Sequence, residues 1–448
     1  MSRPKSRRAF LKHVAGAALG AVCAPAIIRA QSLRDRVRLA FIGTMGMGET
    51  HVRIFSEMGA ECPCFCDVDT RRWGEAARRF PKARRYQDYR RMLEKEAANV
   101  DAVAIAVPDH HHYPATILAM KAGKAVYTQK PLAHTVWEAR QLTLAAEKHK
   151  VATQMGNQGH ANSTWRLACE WIAAGAIGEV KEVHTWTDRP IWPQGIPRPQ
   201  GHDPVPANLN WDCWIGPAPM RDYKGNRTYH DFNWRGFWDF GAGTLGDMAP
   251  HTMDGLFFAM QPACPVAIEV VSASGPTEDT FPRRCIIKWE FSRTEKNPAF
   301  AAWWYDGNHQ PAHPIHLERD RKLPPTGELF VGTKASILFS GDYGDTVRII
   351  PDSVMRQVGV PPQTIERAPA GGNYREFLDA AAGLKPLDYC KSRFAYSGPM
   401  SEAILLGNVA LKVGKRIEWD SRNLRITNIP EASRYITKEY RKGWDFTI

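Results

Sequence analysis

Features of nucleic-acid-binding and repeat proteins are missing from this sequence. It has no basic helix and no zinc-finger spacing, so the net charge of +12 does not indicate a nucleic-acid partner. Residues 1–30 contribute six of the positive charges and no acid, which leaves +6 for the rest of the chain. A mildly basic surface that faces anionic ligands accounts for this remainder. There is also no internal repeat and no low-complexity tract, so a globular fold is expected.

The start of the chain lacks an apolar run long enough to span a membrane and carries a targeting pattern instead. Ser6–Lys12 reads SRRAFLK, a twin-arginine export motif, and the weakly apolar run from 14 to 28 has 15 residues, short of the roughly 20 that a membrane-spanning helix needs. Ala26 and Ala30 offer cleavage sites. We therefore expect residues 1–31 to be a cleaved twin-arginine signal peptide, recognised by the export machinery, and the mature protein to be periplasmic without a stable membrane anchor.

Cysteine shows no metal-binding pattern. Nine are present, one of them in the leader. Cys62, Cys64 and Cys66 alternate along an apparent strand and so point both ways across a sheet. They lack a distant Cys/His pair at zinc spacing, so we interpret them as small apolar fillers and predict no metal site. The sequence leaves open whether the eight mature cysteines pair.

Length and pattern predict two domains. A chain of 448 residues with 44% hydrophobic and 24% charged residues is too long for one ordinary core and has a globular composition. Over residues 34–158, short apolar strands alternate with helices, which predicts an α/β Rossmann domain with a doubly wound parallel sheet. In residues 159–448, six prolines from Pro190 to Pro206 mark a long loop, and the later strands follow one another through short turns. This half is predicted to be an α+β domain with an open, mostly antiparallel sheet.

A glycine-rich turn follows the first predicted strand. Residues 43–48 read Gly-Thr-Met-Gly-Met-Gly and lead into a helix, a setting in which backbone amides approach a pyrophosphate, although a methionine stands where the fingerprint has its middle glycine. Asp67 follows 24 residues after the first glycine, where a carboxylate binds a ribose diol and favours NAD. Arg71 and Arg72 would instead suit the 2′-phosphate of NADP. The predicted cofactor residues here are Gly43, Met45, Gly46, Met47, Gly48 and Asp67.

Three adjacent histidines end the strand that begins at Ala102. Residues 107–112 read Val-Pro-Asp-His-His-His, and consecutive side chains diverge too much for one metal ion to take all three. We expect one histidine to line a nicotinamide pocket and the others to cap the following helix or meet solvent. The predicted cofactor contacts in this segment are Pro108, Asp109, His110 and His112.

Two other segments carry groups that handle protons. Gln129-Lys130-Pro131 follows a strand, which would point the Lys130 ammonium into the cleft, where it can bond a substrate hydroxyl. Asp247 and His251 are four residues apart in a glycine-rich segment, so on a helix they share a face, and the carboxylate can orient the imidazole as a proton acceptor. The alternative is that Asp247 is a helix N-cap, with Pro250 in the first turn, and that His251 is only packed.

Together these segments resemble the Gfo/Idh/MocA family, which includes glucose-fructose oxidoreductase and inositol dehydrogenase. The resemblance implies a Rossmann domain, a second domain used for substrate binding and often for homo-oligomerisation, and tightly held NAD or NADP. It implies that Lys130 is the catalytic lysine, Asp247 the substrate-orienting aspartate and His251 the acid/base histidine, while Gln129 replaces the family's usual glutamate. Further positions that resemble cofactor or substrate contacts are Gln129, Lys130 and Asn157 for the cofactor and Gln158 and His160 for the substrate.

Aromatic residues of the second half could stack on a sugar ring, since apolar sugar faces pack on aromatics and arginine binds hydroxyls. The candidates are Trp192, Trp234, Arg235, Trp238 and Trp304.

The expected function is hydride transfer between a sugar or polyol carbinol and the nicotinamide, with His251 and Lys130 handling the hydroxyl proton. Two alternatives stay open. One is a redox-neutral glycosidase or lyase that oxidises a sugar carbon only transiently, and the other is a non-catalytic sugar-binding protein on the same fold.

Overall fold

The computed structural model describes residues 36–275 and 278–447. The predicted signal peptide, with its twin-arginine motif and cleavage sites, lies outside the described residues. No helix within those ranges combines the length and apolar character that crossing a membrane requires.

The first sheet has six parallel strands in the order β3-β2-β1-β4-β5-β6, which confirms the doubly wound prediction. The central strands are buried on both faces, as continuous apolar runs predict. The edge strand β3 was not predicted, because two exposed arginines hide its pattern. The strands are β1 Leu39–Ile42, β2 Cys64–Cys66, β3 Arg84–Tyr86, β4 Ala102–Ile105, β5 Ala125–Thr128 and β6 Thr153–Met155.

Helices cover both faces of this sheet. Leu39 and Phe41 of β1 enter one apolar cluster, whereas Ala40 and Ile42 enter the other, as the alternation of a strand requires. A capping box formed by Thr135 with Glu138 starts the fifth helix. The helices are α1 Met47–Glu57, α2 Gly74–Arg79, α3 Tyr89–Glu96, α4 His112–Lys121 and α5 Val136–His149.

The second sheet has nine strands in the order β13-β12-β11-β7-β10-β9-β8-β14-β15. Only the β7–β10 pair is parallel among the pairs described, so the mostly antiparallel prediction is confirmed. Its strands are β7 Val180–Trp186, β8 Ala267–Ala273, β9 Cys285–Phe291, β10 Phe300–Tyr305, β11 Gly327–Gly332, β12 Ser336–Ser340, β13 Thr346–Ile350, β14 Ile417–Asp420 and β15 Arg425–Ile426.

The last long helix joins the two halves. It begins at Phe394 and contains Pro399, because its buried face packs on both α5 and the second domain and this packing outweighs the helix-breaking tendency of the proline. Trp289 of β9 donates its indole N–H to the carbonyl of Ala403 at 2.8 Å. The other helices are α6 Ser163–Ala173, α7 Trp211–Ile215, α8 Gly243–Thr252, α9 Asp254–Met260, α10 Asp352–Val358, α11 Gly372–Ala381 and α12 Phe394–Val413.

The proline-rich stretch 187–210 forms no helix or strand, as predicted. It ends against the Rossmann domain, where the amide of Thr70 donates to the carbonyl of Asn208 at 3.0 Å and the amide of Asn210 donates to the carbonyl of Val68 at 2.9 Å. These bonds bring the second domain over the carboxyl edge of the first sheet. The eight cysteines in the described part of the chain are free.

Candidate functional site

A cleft of about 620 Å³ opens at the carboxyl ends of β1, β2, β4 and β5. This is where ligands bind in open parallel sheets, at the point where the strand order reverses. Residues of the second domain form its other wall. The predicted site residues that line it are Gly43, Met45, Gly46, Met47, Asp67, Pro108, Asp109, Gln129, Lys130, Trp234, Arg235 and Asp247.

The glycine loop lies tight against the sheet. Gly43 has φ +83°, and a Cβ there would lie 2.1 Å from the carbonyl oxygen of Ala106. A Cβ on Gly48 would lie 2.2 Å from the carbonyl oxygen of Gly43. Met45, where the fingerprint has a glycine, is half exposed and forms part of the cleft wall. The backbone therefore has the close approach at the start of α1 that a pyrophosphate site needs, and the residues fit a dinucleotide.

Asp67 is held by this loop. Its Oδ2 accepts the amide N–H of Thr44 at 3.0 Å, and its Oδ1 accepts the amide N–H of Asp69 at 3.0 Å. Burial raises the pKa of Asp67 above the usual value despite these bonds. Of the two arginines considered for a 2′-phosphate, Arg71 pairs with Asp69 outside the cleft wall, and Arg72 lines the cleft but pairs with Asp231.

The three histidines are all buried, and no side chain caps the helix that begins at His112, so the expectation that the others cap this helix or meet solvent is wrong. His111 lines the cleft, whereas His110 and His112, which were predicted to contact the cofactor, lie outside its wall. Each ring is held by backbone carbonyls. His110 faces the carbonyls of Phe240 and Trp214 at 3.1 Å, His111 that of Trp214 at 2.8 Å, and His112 those of Pro131 and Val107 at 2.5 and 2.9 Å. The start of a helix turns successive side chains in different directions, and the strand pattern does not show which one faces the cleft.

Asp109 lies beside these histidines in the cleft wall. Its Oδ2 accepts the amide N–H of Ala242 at 2.9 Å, just before α8. Burial, reinforced by the negative charge of Asp247, raises the pKa of Asp109 to about 7. A large fraction of this carboxyl is therefore neutral near pH 7, and it links the Rossmann domain to the helix that carries Asp247.

Gln129 takes its position from a buried histidine. Its Nε2 lies 2.9 Å from Nε2 of His51 on α1, and burial lowers the pKa of His51 to about 3. The neutral imidazole thus accepts the amide hydrogen of Gln129. A Cβ on Gly156 would lie 2.4 Å from Gln129 Nε2, so the amide packs directly on the backbone after β6. His51 was not predicted, because its contact with Gln129 joins elements far apart in the sequence.

Lys130, Asp247 and Arg235 form a charged group at one end of the cleft. Lys130 Nζ lies 3.0 Å from Asp247 Oδ1 and 2.9 Å from the Asp247 carbonyl oxygen. Arg235 Nε donates to the same Oδ1 at 3.1 Å. Burial alone would raise the pKa of Asp247, but the charges of Lys130 and Arg235 outweigh it and lower the pKa to about 2. Asp247 is therefore a carboxylate that holds a lysine ammonium and a guanidinium in place.

His251 follows one turn later on α8 and is 3% exposed. It lies outside the cleft wall, and its Nδ1 has no hydrogen-bond partner among the described residues. Its ring meets Tyr343 edge to face at 4.8 Å. Burial, with the charge of Lys130, lowers the pKa of His251 to about 3. The N-cap alternative for Asp247 is wrong, since α8 begins at Gly243 and places Asp247 in its second turn.

The predicted residues after β6 do not reach the cleft wall. Asn157 is buried and accepts the Ser392 hydroxyl at 2.6 Å. His160 Nδ1 donates to the carboxylate of Asp254 at 2.9 Å, and the same carboxylate accepts the Tyr396 hydroxyl at 2.6 Å. The side-chain oxygen of Gln158 is buried without a partner among the described residues. These side chains support the domain junction in this structure.

The tryptophans divide between the cleft and the core. Trp234 lines the cleft, and the Arg235 guanidinium lies over its ring at 4.3 Å. Trp192 bonds Gln194 at 2.8 Å and lies outside the cleft wall. Trp238 also lies outside that wall and packs on Phe281 at 3.6 Å, and Trp304 is fully buried in the second sheet. Of these four tryptophans, Trp234 alone is in a position to meet a ligand in the cleft.

Several cleft residues were missed by the sequence reasoning. Six of them lie between residues 213 and 232, beyond the loop predicted from Pro190 to Pro206, where no sequence pattern identifies contacts. These residues are Glu49, Val68, Tyr89, Cys213, Trp214, Arg227, His230, Asp231 and Phe232.

Two models of one oxidoreductase family match the chain: its NAD-binding Rossmann fold over residues 37–157 and its C-terminal alpha/beta domain over residues 192–290. An inositol 2-dehydrogenase of Rubrobacter xylanophilus is 32% identical over 155 residues, which cover 34% of this chain and 44% of that protein. A glycosyl hydrolase family 109 protein of Shewanella pealeana is 29% identical over 156 residues, which cover 33% of this chain and 34% of that protein. The chain thus spans less than half the length of these curated relatives.

Solved structures share the fold over most of the chain. The WlbA dehydrogenase from Bordetella pertussis in complex with NADH and UDP-GlcNAcA matches with a TM-score of 0.57 at 16% identity, covering 86% of this chain and 99% of that one. Levoglucosan dehydrogenase in complex with NADH and L-sorbose matches with a TM-score of 0.58 at 18% identity, covering 86% and 98%. At these identities the likeness establishes the fold.

Proposed function

Because models of the Rossmann and C-terminal domains of the Gfo/Idh/MocA oxidoreductases match residues 37–157 and 192–290, we propose that the chain belongs to this family and transfers a hydride between a sugar or polyol carbinol and a nicotinamide dinucleotide. The observation that carries this proposal is the Lys130–Asp247–Arg235 group, which lies in the same cleft as the glycine loop. The names of the relatives, among them an inositol 2-dehydrogenase, support a polyhydroxylated substrate.

The residues of the cleft divide the work between cofactor and substrate. The glycine loop and Asp67 would hold the dinucleotide, which supplies the hydride acceptor when bound. Lys130 can donate to a substrate hydroxyl, and Asp247 keeps its ammonium in place while accepting from a second hydroxyl. His251 lies outside the cleft wall, one turn beyond Asp247 on α8. Its ring is neutral and its Nδ1 has no partner among the described residues, so we propose it as the acceptor of the hydroxyl proton.

We propose NAD rather than NADP as the cofactor. Asp67 would repel a 2′-phosphate, and the carboxylate of Asp231 already pairs with Arg72, the one arginine of this turn that lines the cleft. Mass spectrometry of the cofactor released on denaturing the purified protein is expected to show NAD. Predominant NADP would contradict the assignment.

A second candidate function has support from the glycosyl hydrolase family 109 relative. A redox-neutral enzyme would oxidise a sugar carbon, eliminate the neighbouring aglycone and return the hydride to the sugar. We expect free sugars and polyols to generate NADH at 340 nm, and the redox-neutral route to release aglycone from glycosides without net NADH. If a broad panel of sugars and glycosides yields neither NADH nor free aglycone, the non-catalytic sugar-binding alternative remains.

We also propose export by the twin-arginine route, on the SRRAFLK motif of Ser6–Lys12. Folded export would let the protein load its dinucleotide in the cytoplasm. Changing Arg7 and Arg8 to Lys is expected to leave uncleaved protein in the cytoplasm, as judged by fractionation and intact mass. Normal periplasmic appearance of the double variant would contradict this route. Homo-oligomerisation stays a prediction.

A further inference from the structure

Residues 226–231 of the second domain, here called the clasp, contribute three side chains to the cleft lined by the glycine loop. Arg227, His230 and Asp231 contribute to the same cavity wall as Gly43 and Gly46. The predicted dinucleotide site is therefore not an open edge of the Rossmann domain. A segment from far along the chain covers part of it.

The clasp is anchored to the turn that follows β2. Asp69 in that turn is fully buried, and its carboxylate accepts His230 Nε2 at 3.0 Å and Asn208 Nδ2 at 2.7 Å. Arg72 of the same turn pairs with Asp231. Two neighbouring clasp residues are thus tied to the wall that carries Asp67.

The clasp backbone adopts left-handed conformations that residues other than glycine rarely take. Asn226, Arg227 and Asp231 have φ values of 54°, 59° and 84°, all in the left-handed region. Non-glycine residues in this region persist only where the surrounding structure holds them, and they cluster at ligand-binding segments. The anchors at His230 and Asp231 are that surrounding structure, and they fix where the turn presents Arg227.

Arg227 is the cation of the cleft that lacks an anionic partner. Arg72 pairs with Asp231, and both Lys130 and Arg235 pair with Asp247. Arg227 makes no ion pair and no hydrogen bond within residues 36–275 and 278–447 and remains accessible to solvent. Its guanidinium fork suits the oxygens of a phosphate, and the anionic part of a dinucleotide is its diphosphate.

We propose that Arg227 binds the diphosphate of the dinucleotide from the second domain, so that the clasp closes over the cofactor and slows its exchange. The inference rests on the proposed function, because it requires a dinucleotide in this cleft. It adds a cofactor residue outside the Rossmann domain and gives a physical basis for a cofactor that is retained between turnovers.

The first test compares Arg227→Gln with Arg422→Gln, which removes an exposed arginine from the turn between β14 and β15. Binding of NADH, of ADP-ribose and of adenosine to cofactor-stripped protein is measured by fluorescence titration and competition. Arg227→Gln is expected to raise the Kd of NADH and ADP-ribose about tenfold, the scale of one charge-assisted hydrogen bond, and to leave adenosine and the control unchanged. An unchanged Kd for NADH, or an equal loss for adenosine, would overturn the assignment to the diphosphate. A wild-type protein that binds neither NADH nor NADPH would instead overturn the proposed function.

The second test concerns closure. His230→Leu keeps a bulky side chain but removes the bond to Asp69, and Asn208→Ala removes the neighbouring bond from a less buried position. The melting temperature of each variant is measured first to check that it is folded. Stopped-flow displacement of NADH from the folded variants is expected to show a dissociation rate constant several-fold above that of the wild type. Wild-type dissociation from both variants would overturn the closing role and leave the Arg227 contact to the first test.

Discussion

Lys130→Met is expected to lower turnover by about 10²–10⁴-fold, the range lost with a positioned proton-handling group. The methionine keeps the apolar stem but removes the ammonium that lies 3.0 Å from the Asp247 carboxylate and 2.9 Å from its carbonyl. Asp247 would keep Arg235 as a partner, so the fold and the bound dinucleotide should survive. Turnover per cofactor-loaded molecule is the quantity to measure.

A matched control is Lys124→Met, which changes a lysine just before β5 that lies outside the cleft wall. It should keep wild-type turnover, melting temperature and cofactor content. Near-normal turnover of Lys130→Met would remove this lysine from the catalytic group, whichever substrate is used.

His251→Ala separates proton transfer from packing. If His251 and Lys130 act in one unit, each single variant should lose most of the rate, and the double variant should lose little more. If the ring only fills space against Tyr343, the variant should melt earlier because of the cavity, by roughly 1–3 kcal/mol of unfolding free energy, while turnover per folded molecule stays near normal. The second result would end the assignment of His251 as proton acceptor. This test is needed because the side chain is only 3% exposed, as a packed residue would be.

Gly43→Ala should abolish dinucleotide binding and destabilise the protein by roughly 2–5 kcal/mol, the sum of a left-handed alanine and an overpacked contact. The new methyl group would lie 2.1 Å from the carbonyl oxygen of Ala106, a backbone atom of the neighbouring β4 loop that cannot rotate away. Relief requires the glycine loop to move off the sheet, and the close approach to a pyrophosphate moves with it.

Gly59→Ala isolates the conformational part of this effect. Gly59 has φ +91°, but a Cβ there would meet nothing within 4 Å. Its variant should lose only about 1–2 kcal/mol and bind NADH normally. Urea unfolding and NADH titration compare the two variants. A Gly43→Ala protein with the same stability and the same NADH affinity as Gly59→Ala would contradict the role of the glycine loop in binding the pyrophosphate.

The architecture could be predicted because its signals are local. Strands such as Ala102–Ile105 are short apolar runs bounded by turns, and buried parallel strands need that composition. The Gly43 turn, Asp109 and Lys130 each follow such a strand, and the carboxyl ends of parallel strands meet at one edge, so chain order alone brings them to one cleft.

The sequence could not tell which side chain of a local group faces the cleft. Three histidines in a row fit the same pattern, yet His111 lines the wall and His110 and His112 bond backbone carbonyls beneath it. His251 is one turn from Asp247 on the same helix, as its spacing predicts, but its ring packs on Tyr343 and lies outside the cleft wall.

By itself, therefore, the sequence determined the two-domain fold, the glycine loop and the placement of Lys130 and Asp247. These features depend on the order of the strands and on the spacing of residues along one helix or strand. Only the tertiary structure decided that His230 meets Asp69 and that Arg72 meets Asp231, leaving Arg227 without an anionic partner in the described residues. Such pairs join segments about 160 residues apart, and their formation depends on how the second domain packs over the first, which no local pattern encodes.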